Sequence, residues 1–189
     1  MVKWNCPVQQ QKEIVKDMAD IWSGTANIRF NFIDNGLARI RISFSDDLNS
    51  WSKIGTACLG VHDQIVPTMN LGCFKDGMSM EEIRGTILHE FGHVLGCIHE
   101  HQHPNAAIPW DKRAIIRAFL TIPGWDEDKI RQNILNSFPQ QSISNSDYDP
   151  SSIMHYYLPD YFTNPPRIFT MNNELSQQDK DFIGCCYPF

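Results

Sequence analysis

The chain has 189 residues, of which 42% are hydrophobic, and a formal net charge of -6 at pH 7. This describes a folded globular chain with a real core and excludes the disordered class. No long basic run is present to hold nucleic acid, and no apolar run reaches the roughly 20 residues of a membrane span.

Residues 1–7 lack the charged-then-apolar layout of a secretory signal. The six cysteines are too sparse for a disulfide-built fold, and none form a Cys-x-x-Cys zinc pair. Cys6 and the adjacent Cys185 and Cys186 lie near opposite chain ends, so a bridge between them would staple the termini; Cys185 bonded to Cys186 would be strained. Apolar residues between 8 and 22 recur at helical spacing, with Gly24 as a stop signal. Alternation over 28–33 and again over 38–44 predicts two strands, separated by the turn signal Asn35-Gly36. Shorter strands are expected at 54–59 and 65–71. Ser79-Met80-Glu81-Glu82 is a capping box that starts a helix at Ser79. Ile83, Ile87, Phe91, Val94 and Leu95 fall on one face of that helix. Helices are expected over 109–120 and 126–138, then a Ser- and Asn-rich loop, a Pro- and Tyr-rich stretch to 166, and a last helix from Ser176. The expected architecture is α+β in two lobes. The first, about 1–98, holds a small mixed sheet and the motif-bearing helix; the second, about 99–189, is helical and irregular.

The helix from Ser79 carries His89-Glu90-Phe91-Gly92-His93, followed by Val94-Leu95-Gly96-Cys97-Ile98-His99. Residues four apart on a helix sit about 40° apart around it and roughly 6 Å along it, so two imidazoles there can converge on one ion. Zinc favours such nitrogen ligands in a tetrahedral arrangement. Glu90 follows the first histidine and can lean over the ion's open position. There it takes a proton from a metal-activated water and later gives it to the leaving amine. His99 would lie about 240° round from His93 on a straight helix. Reaching the ion requires a sharp turn, and Gly96 stands where that turn is needed. A His-x-x-x-His pair alone is often a surface accident; the adjacent glutamate, the glycine and the third histidine together make a coincidence hard to sustain.

This extended pattern resembles the signature of metzincin zinc proteases, His-Glu-x-x-His-x-x-Gly-x-x-His with a downstream Met-turn. The run Ser152-Ile153-Met154-His155-Tyr156 resembles the Met-turn of the astacin family within that clan, with this chain as an outlying member. The resemblance implies a zinc-dependent endopeptidase with one catalytic Zn2+ held by His89, His93 and His99. It implies Met154 as an apolar floor beneath the metal. It places on Tyr156 a phenol that can approach zinc as an extra ligand and then donate to the developing oxyanion. Glu100 matches a family glutamate that belongs to a water-linked contact with the mature N-terminus, or serves simply as a structural hydrogen-bond partner. The following His101-Gln102-His103-Pro104 departs from the family continuation. His101 and His103 are expected in a solvated loop rather than as ligands, and His62 and His155 likewise, with packing or hydrogen bonding beside the site as the alternative for His155; Cys97 is expected as a small buried apolar residue.

Metzincins bind peptide as an added strand on a sheet edge. The candidate edge here is Thr68, Met69, Asn70 and Leu71, since Pro67 suits an edge. The expected partner is a peptide or protein substrate, with no nucleic acid and no membrane, and the chain is expected to be a monomer. The resemblance suggests an extracellular or secreted setting. The competing reading is a catalytically silent binding or toxin-like module on the same fold; such relics lose the glutamate that Glu90 preserves.

Overall fold

The computed structural model describes residues 1–4, 9–45, 49–74, 77–139 and 147–189. The chain divides into two compact units, Met1–Ile98 with Asn173–Phe189, and His99–Asn172.

The first unit is built on a five-stranded mixed sheet of order β2-β1-β3-β5-β4. Its strands are β1 (Val2–Trp4), β2 (Phe32–Ile33), β3 (Ile40–Ser43), β4 (Trp51–Ser52) and β5 (Met69–Asn70). β1 runs parallel to both β2 and β3, and β5 runs parallel to β3. β4 pairs antiparallel with β5, Trp51 opposite Asn70, and closes the sheet on that side. The strand expected at 65–71 is therefore not an edge. Met69 and Asn70 have a neighbour on each side, and Thr68, Met69, Asn70 and Leu71 are all buried. Pro67 lies outside the paired residues, so it costs the ladder nothing. The Asn70 side chain reinforces this interior position. Its amide donates to the carbonyls of Ser45 and Asn49, and its oxygen accepts from Ser45 N–H and Ser43 Oγ.

Residues 54–59, expected as a strand, fold as a 3-10 helix over Gly55–Gly60. Local bonds such as Ala57 N–H to Ile54 O replace a ladder partner. Arg41 ties the stretch that follows it to β3. Its buried guanidinium donates to the carbonyls of Val66 (2.7 Å), Ala38 (2.8 Å) and Val61 (2.9 Å).

Helix α1 (Gln9–Ser23) matches the periodicity seen over 8–22, apart from Val8, which lies outside the described residues. Cys6 does too, so the expected staple falls there as well. Helix α2 (Met80–Val94) starts at the predicted capping box: Ser79 Oγ accepts from Glu82 N–H and the Glu82 carboxylate accepts from Ser79 N–H. α2 buries Ile83, Ile87, Leu88 and Phe91. It is fixed to α1 by Trp22, whose indole donates to Leu88 O at 3.1 Å, and Phe91 meets Phe30 edge to face at 5.0 Å.

The second unit contains α3 (Lys112–Phe119), α4 (Glu127–Ile130) and irregular chain around a core of Ile108, Ile115, Ile130, Ile134, Leu158, Phe162 and Phe169. The helix expected over 126–138 is α-helical only to Ile130 and then widens into a π-helical turn, Arg131–Leu135. Asn136 N–H donates back to Arg131 O at 2.8 Å, the five-residue span of that geometry.

Helix α5 (Gln177–Cys186) starts at Ser176 with a second capping box. Residues 173–189, assigned from sequence to the second lobe, belong to the first unit. Tyr187 accounts for this: its N-terminal neighbours form α5, its carbonyl accepts from Asn27 N–H, and its hydroxyl donates to Leu95 O. Among the described residues no helix is long and apolar enough to cross a membrane.

Candidate active site

His89, Glu90 and His93 all stand on α2, four positions separating the two histidines as a helical pair requires. Their rings lie 4.7 Å apart and nearly perpendicular, at 88°. The helix then ends in a Schellman motif. Cys97 N–H donates to Gly92 O and Gly96 N–H to His93 O, each at 3.0 Å. Gly96 has φ +101, which an L side chain rarely adopts, although a Cβ there would meet nothing within 4 Å. The glycine is needed for its backbone conformation alone.

The turn brings His99 back. One ligand nitrogen from each of His89, His93 and His99 lies within 4.8 Å of the others, so one ion can bridge all three. The histidine chemistry suits zinc. His93 Nδ1 lies 2.8 Å from Cys97 O, a carbonyl that can only accept, so Nδ1 carries the proton and Nε2 keeps its lone pair for a metal. Burial also lowers the His93 pKa, favouring the neutral ring that ligation requires. Cys97 contributes its carbonyl, and its side chain is half-buried rather than fully buried.

Glu90 is buried, and its Oε2 has no hydrogen-bond partner among the described residues. Without a cation nearby, burial pushes its carboxyl up to about 8. An orphaned buried carboxyl beside two imidazoles is what a cation and a water would complete, so the donor set fits zinc.

In the second unit, Ser152, Ile153, Met154 and His155 are buried in a tight turn. Ser152 N–H donates to Asp149 O, His155 N–H to Ser152 O, and Met154 N–H to Ser152 Oγ, each at 3.0 Å. Glu100 holds this turn beside the histidine segment: its N–H donates to Met154 O at 3.0 Å and its Oε1 accepts from Asp149 N–H at 2.8 Å. These bonds are those of a structural hydrogen-bond partner, one of the two readings left open for Glu100. The Tyr156 ring lies 4.3 Å from that of His99.

His101 and His103 are not in a solvated loop; both are buried, as is Gln102 between them. Their place in the chain suggested exposure, but partners distant in sequence enclose them. His101 Nε2 donates to Asn133 O at 3.1 Å, and Gln102 donates to Gln132 O and Asn136 O, each at 2.8 Å. His155 is also ordered: Nδ1 donates to Tyr156 O and Nε2 accepts from the Tyr148 hydroxyl at 2.9 Å. His62 stays exposed and outside the ligand group. The one signal that could have found these residues is histidine at 99, 101 and 103, a density unusual for a plain surface loop.

The family model for the astacin peptidases matches residues 3–186. A solved structure of myroilysin is similar at a TM-score of 0.92 and 37% identity, covering 100% of this chain and 91% of that one. A crystal structure of myroilysin is similar at 0.77 and 37% identity, over 100% of this chain and 82% of that one. High choriolytic enzyme 1, a hatching enzyme zinc-protease from the medaka fish Oryzias latipes, shares the fold at a TM-score of 0.63 and 20% identity, over 98% and 88% of the two chains. A comparison with curated proteins returns no match. The α+β fold, the His-Glu-x-x-His helix with its returning third histidine, and the match along almost the whole sequence agree: the chain belongs to the astacin family of zinc metalloendopeptidases.

Proposed function

We propose that this protein hydrolyses internal bonds of peptide or protein substrates with one zinc ion held by His89, His93 and His99. The observation that carries the reading is the convergence of those three nitrogens, two of them on α2 flanking Glu90, which is buried with no hydrogen-bond partner for its Oε2 among the described residues. When bound, zinc supplies Lewis acidity, polarising the scissile carbonyl and acidifying a water. Glu90 takes the proton from the attacking water and then delivers it to the leaving amine. Tyr156 donates its phenolic hydrogen to the developing oxyanion. Met154, buried in the turn that Glu100 holds, forms the apolar floor.

The substrate pairs with β4, the edge strand on the α2 side of the sheet, rather than with the enclosed β5. Its Trp51 and Ser52 are half-buried, and its outer backbone groups are those a peptide strand can use. The family likeness supports an extracellular or secreted setting.

The test is metal analysis with a peptide-library digest on wild type and Glu90→Ala together. Wild type is expected to bind one zinc and cleave. The variant should keep the zinc and lose about 10²–10⁴-fold in kcat. A zinc-loaded Glu90→Ala protein that cleaves as fast as wild type would rule the mechanism out.

A further inference from the structure

We infer that His101 is a positioning residue for Tyr156: its imidazole is the flat backing that sets the orientation of the phenol ring. The inference rests on the reading of Tyr156 as the oxyanion donor. His101 is 2% exposed, and its ring lies 4.5 Å from the Tyr156 ring at 27°, a stacked arrangement. It also stacks with His99, at 5.3 Å and 25°. His99, His101 and Tyr156 are thus in mutual ring contact. His101 is held from behind, because its Nε2 donates to Asn133 O.

That carbonyl is not an ordinary helical one. Asn133 lies in the π-helical turn Arg131–Leu135, whose widened geometry presents backbone oxygens to side chains. Gln102 exploits the same turn through Gln132 O and Asn136 O, and its own carbonyl accepts from Phe138 N–H. The segment after His99 is therefore fastened at two consecutive residues to this turn and its C-cap. The Tyr156 main chain is fixed independently, since His155 Nδ1 donates to Tyr156 O and the His155 ring stacks on Phe169 at 4.9 Å. With backbone and ring each held by a histidine, the phenol meets the reaction preorganised, which is the condition for a useful oxyanion donor.

The hydrogen-bonding of His101 says which property matters. With Nε2 protonated toward a carbonyl, Nδ1 carries a lone pair, and it is buried without a hydrogen-bond partner among the described residues. Glutamine would keep an N–H for Asn133 O but would lose the flat face. Phenylalanine would keep the flat face but not the anchor. Of these three side chains, only the imidazole supplies face and anchor together.

The experiment compares His101→Gln and His101→Phe, alone and with Tyr156→Phe, at saturating zinc. Stacking of this kind corresponds to a roughly two- to tenfold change in rate. His101→Gln is expected to lower kcat by up to about tenfold, with KM within about twofold and zinc content unchanged. His101→Phe should retain kcat within about threefold. In the Tyr156→Phe background, His101→Gln should cause no further loss, because the ring it orients no longer donates. A zinc-loaded His101→Gln enzyme with wild-type kcat, or one whose loss adds in full to that of Tyr156→Phe, would overturn the inference. If Tyr156→Phe alone left kcat unchanged, the oxyanion reading itself would fail and the inference with it, an outcome distinct from additivity. A measurement on the metal-free wild type needs no variant to fold: the Tyr156 ring protons should be displaced upfield in the NMR spectrum by the stacked imidazole. Their appearance at ordinary tyrosine shifts would also refute the stacking.

Discussion

The stretch from Ser79 to Val94 and the stretch from His99 to His103 both carry histidines of the candidate site, yet they place them by different means. On α2 the backbone does the work. His89 and His93 share a face because the helix repeats every 3.6 residues, and the helix is seated by Ile83, Ile87, Leu88 and Phe91. Between His99 and His103 the only regular element among the described residues is the 3-10 turn Glu100–Gln102. Order there comes from side chains bonding to distant main chain: Glu100 to Asp149, His101 to Asn133 and Gln102 to Gln132 and Asn136. The difference teaches that His89 and His93 are placed by a backbone repeat, whereas His99 leads into a segment ordered by specific polar contacts.

The comparison breaks first where α2 meets its core. Phe91→Ala, which removes a fully buried ring in edge contact with Phe30, should cost about 3–5 kcal/mol. Urea unfolding followed by tryptophan fluorescence reads it, and a loss under about 1 kcal/mol would show that α2 is not held by this packing. Gln102→Leu keeps the volume but removes the donor of two part-buried hydrogen bonds, to Gln132 O and Asn136 O, for about 1–3 kcal/mol over the pair. Hydrogen exchange should show the opening concentrated in residues 99–138, with α2 protected. Equal loss of protection along α2 would mean that the two stretches are not separately held.

Gly96→Ala tests the passage from one stretch to the other. A side chain at φ +101 should cost about 1–2 kcal/mol and weaken zinc binding, with α2 itself intact by circular dichroism. The smallest effect is at the start of α2. Ser79→Ala should cost about 1 kcal/mol at pH 7. The cap is also pH-dependent, because the backbone N–H and hydroxyl of Ser79 hold the Glu82 carboxyl below its ordinary 4.5. A carboxyl with a lowered folded-state pKa stabilises the fold above its unfolded value, and that stability is lost as pH falls through the folded one. The gap between wild type and Ser79→Ala should therefore narrow as the pH is taken below about 4.5. A gap that stays constant to pH 3 would remove Glu82 from the cap.

Features encoded within a few residues were legible in the sequence. The capping boxes at Ser79 and Ser176 start α2 and α5, the periodicity over 8–22 gives α1, and Gly96 sits at the helix end where the third histidine requires a turn. The Ser152-to-Tyr156 run located a turn that the structure closes with local bonds. Each of these signals is a short-range preference of backbone or hydrogen bonding, so it survives without knowledge of the rest of the chain.

What depended on distant partners was settled by the tertiary structure. Short β1 and β4 have no pattern of their own and exist because β3 and β5 pair with them. The same pairing turned 65–71 from an expected edge into an enclosed strand. Residues 173–189 joined the first unit through contacts with Asn27 and Leu95 that no local rule contains. His101 and Gln102, both polar, are buried because carbonyls of a π-helical turn some thirty residues on receive their protons. The sequence alone therefore determined the zinc-ligand pattern and its family. Which strand stands at the edge, and which histidines are enclosed, was decided only when remote backbone donors and acceptors met, because burying a polar group is costly without such a partner.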